Sequence, residues 1–234
     1  LAIVHAETST GVCQPLDGIG DLCRKHDCLL LVDTVTSLGG VPLYLDEWKI
    51  DLAYSCSQKG LSCPPGLGPF SMNERAENKM SNRKDKVPNW YLDVSLLNKY
   101  WGSDRVYHHT APVNMNFGIR EALRLLAEEG LEASWSRHRE NAESLWNSLE
   151  NIGLELQVKE ELRLPTLTTV KIPHGLDGKA FTKHLLNNFG VEIGGGLGDF
   201  AGKVWRIGLM GYNSTSSNVD KIINILENEL PKFR

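Results

Sequence analysis

Apolar residues in the first third of the chain fall into short runs separated by polar, turn-forming stretches. Leu1–His5 (LAIVH) and Leu29–Asp33 (LLLVD) read as strands, the second apolar enough along its length to have both faces buried. A helix-like segment lies between them, around Leu16–His26, and further strands are expected at Leu52–Ser55 and near Gly68–Met72, either side of Pro64-Pro65-Gly66. Strands interleaved with helical segments predict an α/β fold with a mostly parallel sheet. Residues 73–111 are polar and aromatic and show no clear period. A helix is predicted from about Pro112 to Glu129, with proline in its first turn and Gly130 closing it. Its Met115, Ile119, Ala122, Leu123 and Leu126 share one face.

A second helix continues to about Ile152, carrying Leu131, Trp135, Ala142, Leu145 and Leu149. Beyond it Leu154–Val158, Thr166–Ile172, Val191–Ile193 and Val204–Leu209 read as strands, with helical segments at about 177–188 and 217–229. The pattern divides the chain into a sheet-bearing unit over 1–129 and a smaller C-terminal α+β domain over 130–234. Leu1–His5 already reads as a strand, so the chain is expected to start inside a fold.

Composition narrows the function. With 234 residues, a net charge of -4 and 41% hydrophobic residues, neither nucleic acid nor an anionic membrane surface is the expected partner. The most basic stretch, Ser81–Lys86 (SNRKDK), contains an acid and reads as a solvated loop. Five cysteines without a CxxC pair argue against a disulfide framework or a zinc site, and for a reducing compartment. His108-His109 is not expected to bind metal, because neighbours in an extended chain point to opposite sides.

The chemistry centres on YSCSQKGLSCPPG, residues 54–66, where Lys59 sits among small residues just past a strand. Ligand crevices of parallel sheets lie at the carboxyl ends of the strands, and Glu7–Gly11, Asp33 and Lys59 all fall there. A lysine so placed suits Schiff-base chemistry, most often with pyridoxal phosphate. That cofactor needs a carboxylate for its pyridine nitrogen, and Asp33, 26 residues before Lys59, suits the role. The gap has room for a helix, a turn and a strand. Thr8, Ser9 and Thr10 offer hydroxyls, Gln58 an amide for phosphate, and Arg206, inside VWRIGL, a planar fork for a substrate carboxylate. Plainer readings stand beside these: a strand-end turn for Asp33, a surface lysine, a loop or helix cap for Thr8–Thr10, and a solvent-facing Arg206. Gly194–Gly198 (GGGLG) lacks phosphate-loop spacing and reads as a flexible turn, beside the site entrance.

Taken in order, HAETSTG (5–11), VDTVTSLGG (32–40), YSCSQK (54–59) with PPG (64–66), YHHT (107–110), RLPT (163–166), GGLG (195–198) and VWRIGL (204–209) resemble one family. It is the alanine–glyoxylate, or serine–pyruvate, aminotransferases of the class V, fold type I pyridoxal phosphate enzymes. The resemblance implies a Schiff base on Lys59, pairing of Asp33 with the pyridine nitrogen, packing of Val35 under the ring, contact from Thr8 and a phosphate contact from Gln58. It implies a homodimer in which Tyr107 and Thr110 reach the neighbouring subunit's phosphate, and an Arg206 that grips the substrate carboxylate. It also implies small amino and keto acids as substrates, a peroxisomal or mitochondrial location, and a phosphate-binding segment and ring-stacking aromatic lying ahead of residue 1. Thr8 stands where many members have serine, and Cys56 and Gly60 where other small residues are usual. Two other readings remain: a 3-hydroxykynurenine transaminase, which shares nearly all of these motifs, and a catalytically silent fragment or interaction module that lacks the N-terminal half-site. A cysteine desulfurase fits less well, because that group has histidine where this chain has Gln58.

Overall fold

A computed structural model describes residues 1–233. Strand β1 (Ala2–Val4) leads into a hairpin of two short strands, β2 (Ala6–Glu7) and β3 (Val12–Cys13), followed by helix α1 (Ile19–Lys25). Strands β4 (Leu31–Asp33), β5 (Leu52–Tyr54) and β6 (Phe70–Met72) complete a four-stranded sheet ordered β1-β4-β5-β6. The first three strands are parallel and β6 is antiparallel. Their register aligns Val4, Asp33 and Tyr54 across the sheet, so the chain leaves all three parallel strands at one rim.

Two expectations need correcting here. The connection from Asp33 to β5 contains turns and no helix, broken by Gly39, in the left-handed region at φ 84°, Gly40 and then Pro42. The LLLVD run buries Leu30 and Val32 but leaves Leu29 and Leu31 half-covered, so only one face of β4 is deep in the core.

The stretch without a clear period holds two helices, α2 (Glu74–Ser81) and α3 (Val94–Trp101). Asn73 and Asp93 cap them, accepting from the backbone N–H of Ala76 and Ser95. Eight residues make little more than two turns, too few for an apolar face to repeat. Helices α4 (Val113–Glu129) and α5 (Leu131–Asn151) meet at Gly130, whose φ of 87° lets the chain turn between them. No residue of α4 is buried, and Leu123 of its expected apolar face is 48% exposed.

The C-terminal region forms a three-stranded antiparallel sheet, β7 (Leu167–Lys171), β8 (Gly194–Gly195) and β9 (Val204–Gly208), ordered β7-β9-β8. Helices α6 (Gly178–Phe189) and α7 (Ser216–Glu229) accompany it. Leu154–Val158 makes a single bridge, Leu156 to Val170, before bending away, and Val191–Ile193 runs up to β8 without pairing. The glycines read as a loose turn instead begin as a strand. Leu145, Leu149, Phe181, Trp205 and Leu226 are fully buried in one core, and Leu16, Leu30 and Val32 in another. Each such side chain contributes about 1.5–3 kcal/mol. Cross-links join the two sheets: Thr169 Oγ1 donates to the Thr10 carbonyl at 2.7 Å and Thr166 Oγ1 to the Thr36 carbonyl at 3.1 Å.

Candidate active site

Asp33 ends β4 and turns its carboxylate back on its own strand rim. Oδ1 accepts the Val35 N–H at 2.8 Å, and Oδ2 accepts the Tyr54 hydroxyl at 2.6 Å. Tyr54 stands opposite Asp33 in the parallel register. The hydrogen bond to Asp33 raises the Tyr54 hydroxyl above its ordinary range, because losing that proton would set two anions side by side. The two donors leave Asp33 lone pairs for a third. Reading the sequence missed Tyr54; its signal was its place at the end of the adjacent strand.

Lys59 lies on a tight turn just past β5. Ser62 N–H donates to the Lys59 carbonyl at 2.9 Å, Cys63 N–H to the Ser57 carbonyl at 3.0 Å, and Ser57 Oγ to the Pro64 carbonyl at 2.7 Å. Gly60 makes the approach to the Asp33 turn possible, since a Cβ there would lie 2.3 Å from the Leu38 carbonyl oxygen. These contacts explain the small residues and the proline-glycine break around the lysine. Lys59 is half-buried and, with half-buried Met210 and exposed Gln58, Ser62, Gly208 and Tyr212, lines a cleft of about 550 Å³. The lysines that form ion pairs among the described residues are Lys49, Lys171 and Lys232, so Lys59 has no acidic partner there.

Arg206 is half-buried on β9 and spans the two sheets. Its Nε donates to the Gly195 carbonyl at 2.7 Å and its Nη1 to the Thr8 carbonyl at 3.2 Å, while Nη2 has no protein acceptor among the described residues. The solvent-facing alternative for Arg206 therefore fails, and β8 serves as its prop. Thr8 is half-buried and meets Arg206 through its carbonyl oxygen. Val35, half-buried, contributes its N–H to Asp33.

Tyr107 and Thr110 form a pair of their own. Tyr107 is 70% exposed and its hydroxyl lies 2.9 Å from Thr110 Oγ1, with no hydrogen bond from either to Asp33, Lys59 or Arg206 among the described residues. The neighbouring histidines do meet, Nδ1 to Nδ1 at 2.9 Å, against the expectation that they point apart. His108 Nε2 donates to the Trp90 carbonyl at 3.0 Å, so its Nδ1 accepts the proton of His109 Nδ1. These two hydrogen bonds use both ring nitrogens of His108, and the ring also stacks on Trp90 with centroids 4.1 Å apart.

The model of the family described as "Aminotransferase class-V" matches residues 1–222. The chain is 51% identical over 234 residues to an alanine–glyoxylate aminotransferase of Callithrix jacchus, an alignment covering 98% of the chain and 56% of that protein. It is 39% identical to a (S)-ureidoglycine–glyoxylate transaminase of Bacillus subtilis, covering 97% of the chain and 59% of that protein. Among solved structures, an alanine–glyoxylate aminotransferase from Nostoc superposes with a TM-score of 0.95 at 63% identity, covering 98% of the chain and 61% of that structure. The chain thus spans little more than half the length of the curated relatives it matches.

Proposed function

Because the chain belongs to the aminotransferase class-V family, we propose that it carries the lysine side of an active site that moves an amino group from alanine or serine to glyoxylate or pyruvate. The observation that carries this reading is that β1, β4 and β5 end at one rim, where Asp33 stands and beyond which the Lys59 turn begins, while Arg206 of the second sheet donates to the Thr8 carbonyl in the hairpin that follows β1. The relatives support the acceptor: alanine–glyoxylate, ureidoglycine–glyoxylate and pyridoxamine–pyruvate aminotransferases differ in donor but share a small 2-oxo acid.

The family's enzymes depend on pyridoxal phosphate. The residues present suit it in donor chemistry: an amine without an acidic partner, a doubly braced carboxylate, and hydroxyl and amide groups beside them. When bound, the cofactor supplies a ring that accepts electrons from the substrate's Cα. Lys59 would hold it covalently through Nζ, and Asp33 would pair with its ring nitrogen. Val35 would pack against the ring, with Thr8 and Gln58 contacting it or its phosphate. Lys59 Nζ would also be the base that takes the proton from the substrate's Cα and the acid that hands it on to the cofactor, with the order reversed in the second half-reaction. Arg206 would bind the carboxylate that donor and acceptor share, with Nη2 available for it.

A second copy of the chain is the proposed partner, supplying Tyr107 and Thr110 to its neighbour's phosphate. The exposure of Trp90, Tyr91, Trp101 and Tyr107 on one stretch supports such a covered surface. The test is turnover by the full-length protein with alanine or serine against glyoxylate or pyruvate, with hydroxykynurenine as rival donor. Turnover with alanine or serine that Lys59→Ala reduces at least about a thousand-fold supports the proposal. Wild-type rates in Lys59→Ala, or turnover with hydroxykynurenine alone, would overturn it.

A further inference from the structure

His138 is fully buried on α5, at the meeting point of three turns, and nothing in the proposed chemistry uses it. Its Nδ1 donates to the Ser134 carbonyl at 2.7 Å, so the neutral ring's Nε2 is an acceptor, and Gly211 N–H donates to it at 2.9 Å. Burial holds the imidazole below the ordinary histidine range, which keeps this neutral form.

Each turn around the ring leads to a site residue. Gly211 follows β9 and so continues the strand of Arg206. It packs so closely on the lysine turn that a Cβ would lie 1.9 Å from Ser62 Oγ and 2.8 Å from the Gly60 carbonyl oxygen. Tyr212 N–H then donates to Ser62 Oγ at 2.8 Å, and Ser62 N–H to the Lys59 carbonyl at 2.9 Å. On the other side, Gly40, in the turn that follows Asp33, lies so near that a Cβ would come within 3.3 Å of the ring. One helical turn from His138, Ser134 Oγ donates to the Gly39 carbonyl at 2.7 Å. Arg137 holds the far end of the same segment, donating to the Gly211 and Ser214 carbonyls at 2.9 and 2.8 Å while paired with Glu129.

We propose that His138 is a positioning residue for transamination: through Gly211 and Ser62 it sets the distance between the Lys59 turn and the strand that carries Arg206. It touches neither substrate nor cofactor. The inference rests on the proposed function, because the spacing it sets matters only if Lys59 and Arg206 serve one substrate.

The test compares His138→Leu, which fills similar space without an acceptor, with His138→Gln, whose amide oxygen can take the Gly211 proton. Both are made in the full-length protein. Amide hydrogen exchange is read at Gly211, Tyr212 and Ser62, and KM and kcat are measured with alanine. His138→Leu should speed exchange at these three amides at least about ten-fold, leave the rest of α5 near wild type, and raise KM for alanine more than it lowers kcat. His138→Gln should restore most of both. Unchanged exchange in a folded His138→Leu, exchange raised uniformly through α5, or a His138→Gln as impaired as His138→Leu would overturn the proposal. Should His138→Leu not fold, Ser62→Ala decides. Ser62 is exposed, and its loss should speed exchange at Tyr212 and raise KM; no change in either refutes the link. An inactive wild-type protein would instead count against the proposed function, with the exchange comparison still readable.

Discussion

Arg206 shows how a single side chain is readied for a ligand before the ligand arrives. Two of its donors are already spent on backbone carbonyls, Gly195 in β8 and Thr8 in the β2–β3 hairpin, which fixes the guanidinium plane and leaves Nη2 without a protein acceptor among the described residues. Arg206→Gln should therefore raise KM for the amino acid by roughly 10- to 150-fold, the loss of about 1.5–3 kcal/mol for a hydrogen bond to a charged group, with the fold intact. An unchanged KM would remove Arg206 from the substrate site. His5 carries a different prediction. It is 3% exposed, its Nδ1 has no partner among the described residues, and burial pushes its pKa down to about 4. The unfolded chain takes up this proton near pH 6.5, before the folded one does, so His5 favours folding above pH 6.5 and that contribution is lost as pH falls toward 4. The loss is about 3 kcal/mol. Urea midpoints measured at pH 7 and pH 4.5 should fall less for His5→Leu than for wild type, and parallel falls would refute it. Sequence spacing singled out Asp33, Lys59 and Arg206, because each charge interrupts or ends an apolar run. Tyr54 and His138 escaped it, since their roles come from neighbours 21 and 73 positions away.

At the scale of elements, what was readable was what repeats. The helices α4, α5, α6 and α7 are long enough to show their period, and β4 and β9 are dense enough in apolar residues to stand out. The short helices α2 and α3 were hidden because their signal is a cap rather than a period. Leu154–Val158 pairs with β7 only around Leu156, through the Lys171 N–H to Glu155 and Gln157 N–H to Thr169 hydrogen bonds, so the strand is shorter than its apolar run suggested. The junction of β4, β5 and α2 depends on one carboxylate that periodicity does not reveal. Asp51, with its side chain fully buried, accepts from Leu30 N–H at 2.8 Å, Asn73 Nδ2 at 3.0 Å and Arg75 Nη1 at 2.8 Å. Asp51→Ala would strand all three donors and should cost about 3 kcal/mol of stability. Chemical denaturation checks this, and a cost below about 1 kcal/mol would mean that water replaces the carboxylate.

For the whole molecule, one arrangement underlies the proposed chemistry: parallel strands delivering Asp33 and the Lys59 turn to one rim, with a second sheet bringing Arg206 over it. The alternation of apolar runs and turns anticipated the first sheet. The bridging of the two sheets through Thr8, Thr36 and Thr166 could not be read, because backbone carbonyls leave no mark on a sequence. Lys59 is set apart from the ion-paired lysines by its turn, its cleft and its want of an acid. The decisive experiment is to load the full-length protein with pyridoxal phosphate, reduce it with borohydride, digest it and map the modified residue by mass spectrometry. A single pyridoxyl group on Lys59 is the expected result; a group on any other lysine, or a spread over surface lysines with Lys59 unmodified, would contradict it.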